Sequence, residues 1–259
     1  MERLSVVIAT KNEEKNIRRC LESIKWADEI VVVDDVSVDK TVEIAKNYTM
    51  HVFVNNSEGD FHKNKNLGLD RATSEWILSL DADEIVPPEL AHEIRDAIQD
   101  VSKLGYYIKR KNYFLGRCIK GCGWYPDYII RLFRKGVTRW PLAVHDTPKI
   151  KDKYRVGRLK FPLLHYSYSS FENYFEKFNW YTTKLSKEEY EKGIRITKGN
   201  ALLYFLIKPL FWFMKKYLFL KGYMDGFRGL FISMSSALTI FVTYAKLWER
   251  QDSELFLPR

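Results

Sequence analysis

The feature that most restricts this chain is a set of short apolar runs, each followed by acids. Leu4–Ala9 (LSVVIA), Glu29–Val33 (EIVVV) and Trp76–Leu80 (WILSL) are rich in β-branched residues and leucine. They are too short for ordinary helices and lack the alternating polarity of a half-wet strand. Each therefore reads as a strand buried on both faces. Between them the period changes. Residues 14–24 place Ile17, Leu21 and Ile24 at helical spacing. Ser37 or Asp39 can cap a helix whose inner face holds Val42, Ala45 and Tyr48. His51–Val54 reads as another strand and Lys63–Arg71 as a short helix. Pro87-Pro88 opens a helix lined by Ile94, Ala97, Ile98 and Val101. Strands alternating with helices predict an α/β fold: a mostly parallel sheet covered on both faces.

Past residue 104 the pattern shifts. Tyr106–Lys109 and Tyr128–Phe133 read as strands, residues 145–168 as irregular, and the chain from Phe171 as helical. Two apolar stretches, Ala201–Met214 and Gly229–Ala245, close the chain. Three parts are expected: 1–104, 105–197 as the second half of the same domain, and a helical extension over 198–259. Apolar residues are 46% of the chain, enough for a substantial core. Three cysteines without framework spacing predict no disulfides, and Cys118 and Cys122 lack the partners a zinc site needs. No basic, apolar leader precedes Leu4, so the expectation is a cytoplasmic protein.

Charge is divided sharply. Residues 1–100 carry 12 Lys and Arg against 21 Asp and Glu, whereas residues 101–259 carry 30 against 12. The first part can hold a cation and the second can meet an anionic partner. Nucleic acid is not the expected anion, because no finger, RNA-recognition signature or basic zipper is present.

In open α/β sheets, ligands bind beyond the carboxyl ends of the strands. Thr10, Asn12 and Glu13 follow the first run, Asp34 and Asp35 the second, and Asp81, Asp83 and Glu84 the third long one. Clustered acids repel unless something compensates them, and a hard divalent cation would do so. No glycine-rich phosphate loop follows the first strand, which argues against a dinucleotide-dependent oxidoreductase or a P-loop nucleotidase. Asp81-Ala82-Asp83, read as extended, sends two carboxylates the same way, toward one cation.

Three stretches in order, SVVIATKNEE, VVVDDVSVDKT and KNKNLGLDRATSEWILSLDADE, resemble the donor-binding half of family 2 glycosyltransferases of the GT-A fold. RLFRKG at 131–136, Trp140, AVHD at 143–146, LLHYSYSS at 163–170 and KGYMDGFRG at 221–229 resemble the branch of lipopolysaccharide inner-core β-1,4-glucosyltransferases. The resemblance implies a GT-A fold with a C-terminal helical extension and an inverting, metal-dependent sugar transfer. Thr10, Asn12 and Glu13 would lie beside the nucleoside, and Asp34 and Asp35 on base and ribose. Lys65 and Asn66 would lie near the nucleotide and Asp81 near the ribose and donor sugar. Asp83 would bind Mg²⁺ or Mn²⁺, with His165 completing the shell or simply bonding within the core. One departure stands out: Val36 occupies a position that is usually glycine. The usual acidic pair supplying a catalytic base is also absent, leaving Asp146, with His145 in reserve.

The chemistry needs a stabilised leaving diphosphate, a base for the acceptor hydroxyl and exclusion of water. Arg131 and Arg134 are candidates to pair with the diphosphate, but three residues apart on a strand they face opposite ways. The expected donor is a nucleotide-diphospho-sugar, UDP-glucose among the candidates, and the expected acceptor is a saccharide of a lipid-linked glycan or lipopolysaccharide core. Aromatics mixed with lysines near the C-terminus favour peripheral docking on the anionic inner face of the cell membrane. A soluble core or dimer helix, or a true span, would also suit those segments. Two other readings are a polyprenyl-phosphate glycosyltransferase and a catalytically idle scaffold.

Overall fold

The computed structural model describes residues 2–141 and 147–256. The chain divides into two compact units, residues 1–111 with 127–166, and residues 112–126 with 167–259.

The first unit is built on the expected strands. β1 (Leu4–Thr10) is buried along its whole length and pairs in parallel with β2 (Glu29–Asp34). β3 (Val52–Val54) lies parallel outside β2, and β4 (Trp76–Asp81) lies parallel on the other side of β1. Their register sets Thr10 opposite Asp34 and Ala9 opposite Asp81, so the carboxyl ends of β1, β2 and β4 share one edge. The sheet then turns antiparallel. β4 leads through a tight turn to β5 (Glu84–Ile85), and β6 (Gly105–Phe114) continues toward β7 (Arg117–Cys118). β8 (Asp127–Arg134) inserts between β4 and β6 with antiparallel pairing to both. β9 (Val156–Arg158) runs parallel to β6, and β10 (Leu163–Tyr168) pairs with β5, setting His165 opposite Glu84. The order is β3-β2-β1-β4-β8-β6-β10-β5.

Helices cover both faces because successive side chains on each buried strand point opposite ways. On one side Leu4, Val6 and Ile8 meet Ile17 and Leu21 of α1 (Ile17–Glu22) and Leu90 and Ile94 of α4 (Pro88–Ala97). The short α2 (Thr41–Lys46) packs against α1. On the other side Val7, Val31 and Val33 pack with Leu69 of α3 (Phe61–Arg71), Phe133 and Trp140. The α3 axis comes so near the sheet that a Cβ on Gly68 would sit 2.3 Å from Val7 Cγ1. Only glycine leaves room for that approach.

Residues 145–168 were expected to be irregular, yet the described part from 147 contains a 3₁₀ turn, Lys153–Arg155, followed by β9 and β10. β9 is three residues long, and β10 mixes apolar and polar groups, so neither carries a strong periodic signal.

The second unit is helical. α5 (Phe171–Glu191) starts where Ser170 Oγ accepts the Asn173 N–H at 3.1 Å. A run through the π-helical turns Leu203–Ile207 and Lys215–Phe219 encloses α6 (Lys208–Met214), and α7 (Gly226–Phe256) follows a 3₁₀ turn. Phe114 is the hub of the aromatic core, touching Trp124, Tyr168, Phe171, Tyr174 and Phe231. Among the described residues one helix, Gly222–Asp252, is long and apolar enough to cross a membrane by length and composition, its most apolar 18-residue window having mean hydropathy 1.5.

Candidate active site

The loops beyond β1 and β2 are tied together by their own side chains. Asn12 takes a left-handed φ of 52°, which asparagine tolerates. Its N–H donates to Ser37 Oγ at 2.8 Å, and its Oδ1 accepts the Val38 N–H at 2.9 Å. The Glu13 N–H donates to Thr41 Oγ1 at 2.8 Å. Asp34 accepts both the N–H and the hydroxyl of Ser37. Asp35 accepts the Ser57 N–H at 2.7 Å and the Lys11 ammonium at 2.9 Å. Burial pushes the Asp35 carboxyl upward, but these bonds outweigh it and hold the group below its ordinary range. Thr10 is buried and its hydroxyl has no hydrogen-bond partner. Val36 has φ 55°, a conformation that β-branched residues rarely adopt. The position of Val36 is thus one that glycine suits.

A second group centres on Asp81. Its Oδ1 accepts Lys65 Nζ at 2.6 Å, and its Oδ2 pairs with Arg131. Arg131 is 1% exposed and also donates to Glu84 Oε1 at 2.8 Å. Glu84, fully buried, further accepts Arg110 at 3.4 Å and the Asp81 N–H at 2.9 Å. Arg110 in turn pairs with Asp127 at 2.6 Å. Trp140 closes the group: Lys65 Nζ lies 3.9 Å from its ring centre, and the Asn66 amide bonds its backbone N–H and C=O, both at 2.9 Å. Burial raises the Asp81 carboxyl's affinity for a proton, but Arg131 and Lys65 outweigh it and hold the group well below the carboxylate range. Burial pulls Lys65 down, and Asp81 offsets this only in part. Arg131 Nε and Nη1 are buried donors without partners. Such orphans are costly unless another acceptor meets them.

Asp83 lies beyond the same turn. Asp81 to Glu84 is a tight turn rather than the extended segment expected, so the carboxylates of Asp81 and Asp83 find different partners. His165 Nε2 is 3.5 Å from Asp83 Oδ1, and the side chains are 15% and 11% exposed. β10 delivers His165 to this position through its pairing with β5. Among the described residues, no group of three or more His, Cys, Asp or Glu converges as a metal cluster.

The structure therefore brings Lys65, Asn66, Asp81 and Arg131 together and sets Asp83 beside His165. Thr10, Asn12, Asp34 and Asp35 sit at the same sheet edge. Arg134 lies apart, pairing with Glu2 at 3.2 Å and covering Trp76. Asp146 and His145 lie outside the described residues. From the sequence Glu84 was read only as one of the clustered acids beyond the strand ends, and Arg110 was not picked out. The only signal for Glu84 was its place beside Asp83, and Arg110 lay in an ordinary basic run.

The family model described as "Glycosyl transferase family 2" matches residues 5–135. An uncharacterized glycosyltransferase of Rickettsia typhi is 29% identical to this chain, the alignment covering 96% of this chain and 88% of the relative. The lipopolysaccharide core biosynthesis glycosyltransferase LpsC of Rhizobium meliloti is 26% identical, with 95% and 92% covered. Among solved structures, the crystal structure of TarS residues 1–349 from S. aureus matches with a TM-score of 0.50 at 18% identity, over 97% of this chain and 92% of that one.

Proposed function

We propose that this chain, which belongs to glycosyl transferase family 2 and has the GT-A fold, moves a sugar with inversion from a nucleotide-diphospho-sugar to a saccharide of a lipid-linked glycan. The observation that carries this reading is the acid turn at the carboxyl edge of the parallel strands. There Asp83 stands beside His165, and Asp81 is held by Lys65 and Arg131.

Each part of the edge has a use in that reaction. Thr10, Asn12, Glu13, Asp34 and Asp35 would lie beside the nucleoside. Lys65, already anchored on Asp81 and Trp140, would stay fixed as negative charge builds on the leaving diphosphate. Arg131, sealed behind Asp81, would act on the same charge through the positive field it adds to the cluster. Asp83 and His165 suit a divalent ion such as Mg²⁺ or Mn²⁺, one offering a carboxylate oxygen and the other an imidazole nitrogen. When bound, that ion would supply Lewis acidity toward the diphosphate. Asp146 would take the acceptor proton, with His145 as the alternative.

The LpsC name points to a lipopolysaccharide core as the acceptor to test first, and UDP-glucose is the donor to test first. An acceptor of that kind is carried by a membrane, so we place the protein at its cytoplasmic face. The test is nucleotide release by the purified chain across a panel of nucleotide sugars, with and without core saccharides. Acceptor-stimulated release from one donor supports the reading. No release with any donor and any divalent ion would overturn it.

A further inference from the structure

The second unit exposes far more apolar surface than its fold needs. On α7 the exposed Phe227, Met234, Leu238, Phe241 and Trp248 fall at spacings of seven, four, three and seven, a single stripe along the helix. Phe227, Met234 and Trp248 are 68%, 56% and 53% exposed. The stripe runs roughly 31 Å at 1.5 Å per residue. It does not end at the edge of α7. Phe241 touches Phe205 at 5.4 Å, and from there the exposed side chains of Leu206, Leu210 and Phe211 continue along the 201–219 run. Phe231 touches Phe175 of α5, itself exposed. Exposed apolar surface thus extends across three helices.

Cations outnumber acids along 198–228, where Lys198, Lys208, Lys215, Lys216, Lys221 and Arg228 meet a single acid, Asp225. Lys216 and Arg228 donate to the backbone carbonyls of Cys122, Phe114 and Leu115, which leaves Lys198, Lys208, Lys215 and Lys221, while α5 carries five acids against three lysines. Asp225 is committed to the N–H groups of Lys120 and Gly121. Lys215 Nζ lies 4.6 Å from the Trp212 ring centre, a cation over an aromatic face.

We propose that α5, the 201–219 run and α7 form a platform that lies in the plane of an anionic lipid surface. The proposal deepens the membrane placement above and rests on it. A second copy is a poorer occupant, because self-association would set these lysines against their own kind. It would also need only a two-helix seam, narrower than the surface exposed. A span is poorer too. The opposite side of α7 is buried in the protein and includes Ser233, Ser235 and Thr243, and one third of its most apolar window is covered. Amphipathic helices with aromatic and lysine-rich faces settle at the headgroup boundary instead.

The experiment is flotation of the full chain with vesicles of phosphatidylcholine alone or mixed with phosphatidylglycerol. It includes the variant Phe211→Glu, Phe227→Glu, Met234→Glu, whose sites are exposed and outside the transfer machinery. Binding should require phosphatidylglycerol and weaken in high salt. Each glutamate should lower vesicle affinity roughly tenfold. Circular dichroism and donor turnover with a soluble saccharide should match the parent. Three results overturn the proposal: no flotation of the parent with either vesicle, equal flotation of parent and variant, or retention through alkaline carbonate as a span would show. A concentration-dependent dimer lost in the variant would assign the face to a second copy. Loss of turnover in parent and variant alike would count against the transferase reading, not the platform.

Discussion

Replacing Arg131 by leucine removes the cation shared by two carboxylates. Arg131 and Glu84 are essentially sealed from solvent, and Asp81 is 28% exposed. Breaking a buried pair by removing one partner costs about 3–5 kcal/mol, because a charge is left without compensation. Two features of this site place the loss at the lower end. Lys65 still holds Asp81 at 2.6 Å, and Arg110 still reaches Glu84 at 3.4 Å. The expected loss is therefore about 3 kcal/mol near neutral pH, a large share of a typical 5–15 kcal/mol stability. The pH dependence is the sharper part. In the parent, the Asp81 carboxyl is held below its unfolded value. Its contribution is thus present above the unfolded pKa of about 3.9 and is lost as pH falls through the folded value. Without Arg131, the Asp81 carboxyl keeps only Lys65 against the upward push of burial, so it binds a proton more readily than in the parent. The variant is then weakest at high pH and recovers ground as Asp81 takes a proton. Urea unfolding of both proteins at about pH 7.5 and about pH 5 should show the gap shrinking at the lower value. A gap that is small or independent of pH would refute the claim that Arg131 neutralises this pair.

Two further outcomes are expected. Val36→Gly should raise stability by about 1 kcal/mol, the left-handed penalty of roughly 1–2 kcal/mol being partly offset by the flexibility of glycine when unfolded; thermal unfolding would read this as a higher midpoint, and a lower one would show that φ 55° carries no strain. Asp146→Asn should cut turnover by about 10²–10⁴ with donor affinity nearly unchanged, whereas His145→Ala should be mild; steady-state kinetics with the reverse ranking would move the base to His145.

Much of the parallel part of the sheet was legible because its strands are unbroken apolar runs. β1, β2 and β4 begin and end within about a residue of LSVVIA, EIVVV and WILSL, and the acids after them mark the shared edge. The parity of Arg131 and Arg134 on β8 was legible too, since side chains on a strand alternate. Other features depend on long-range pairing. The Asp81–Glu84 turn exists because β5 must reverse to meet β10, a partner about eighty residues away. That pairing brings His165 to Asp83 and buries Glu84 between two arginines. Sequence separation hid Glu84's role, since a carboxylate after an aspartate motif reads equally well as a solvated turn.

Central to the account is that the edge carrying Asp83 binds a nucleoside diphosphate together with a divalent ion. Titration calorimetry of the full chain with UDP and other nucleoside diphosphates, with Mn²⁺ and with EDTA, tests it most directly. The expected result is saturable binding of one nucleotide in Mn²⁺, much weaker in EDTA and lost in Asp83→Ala with its circular dichroism unchanged. Equal binding in EDTA, full binding by Asp83→Ala, or no binding of any nucleoside diphosphate would contradict the assignment.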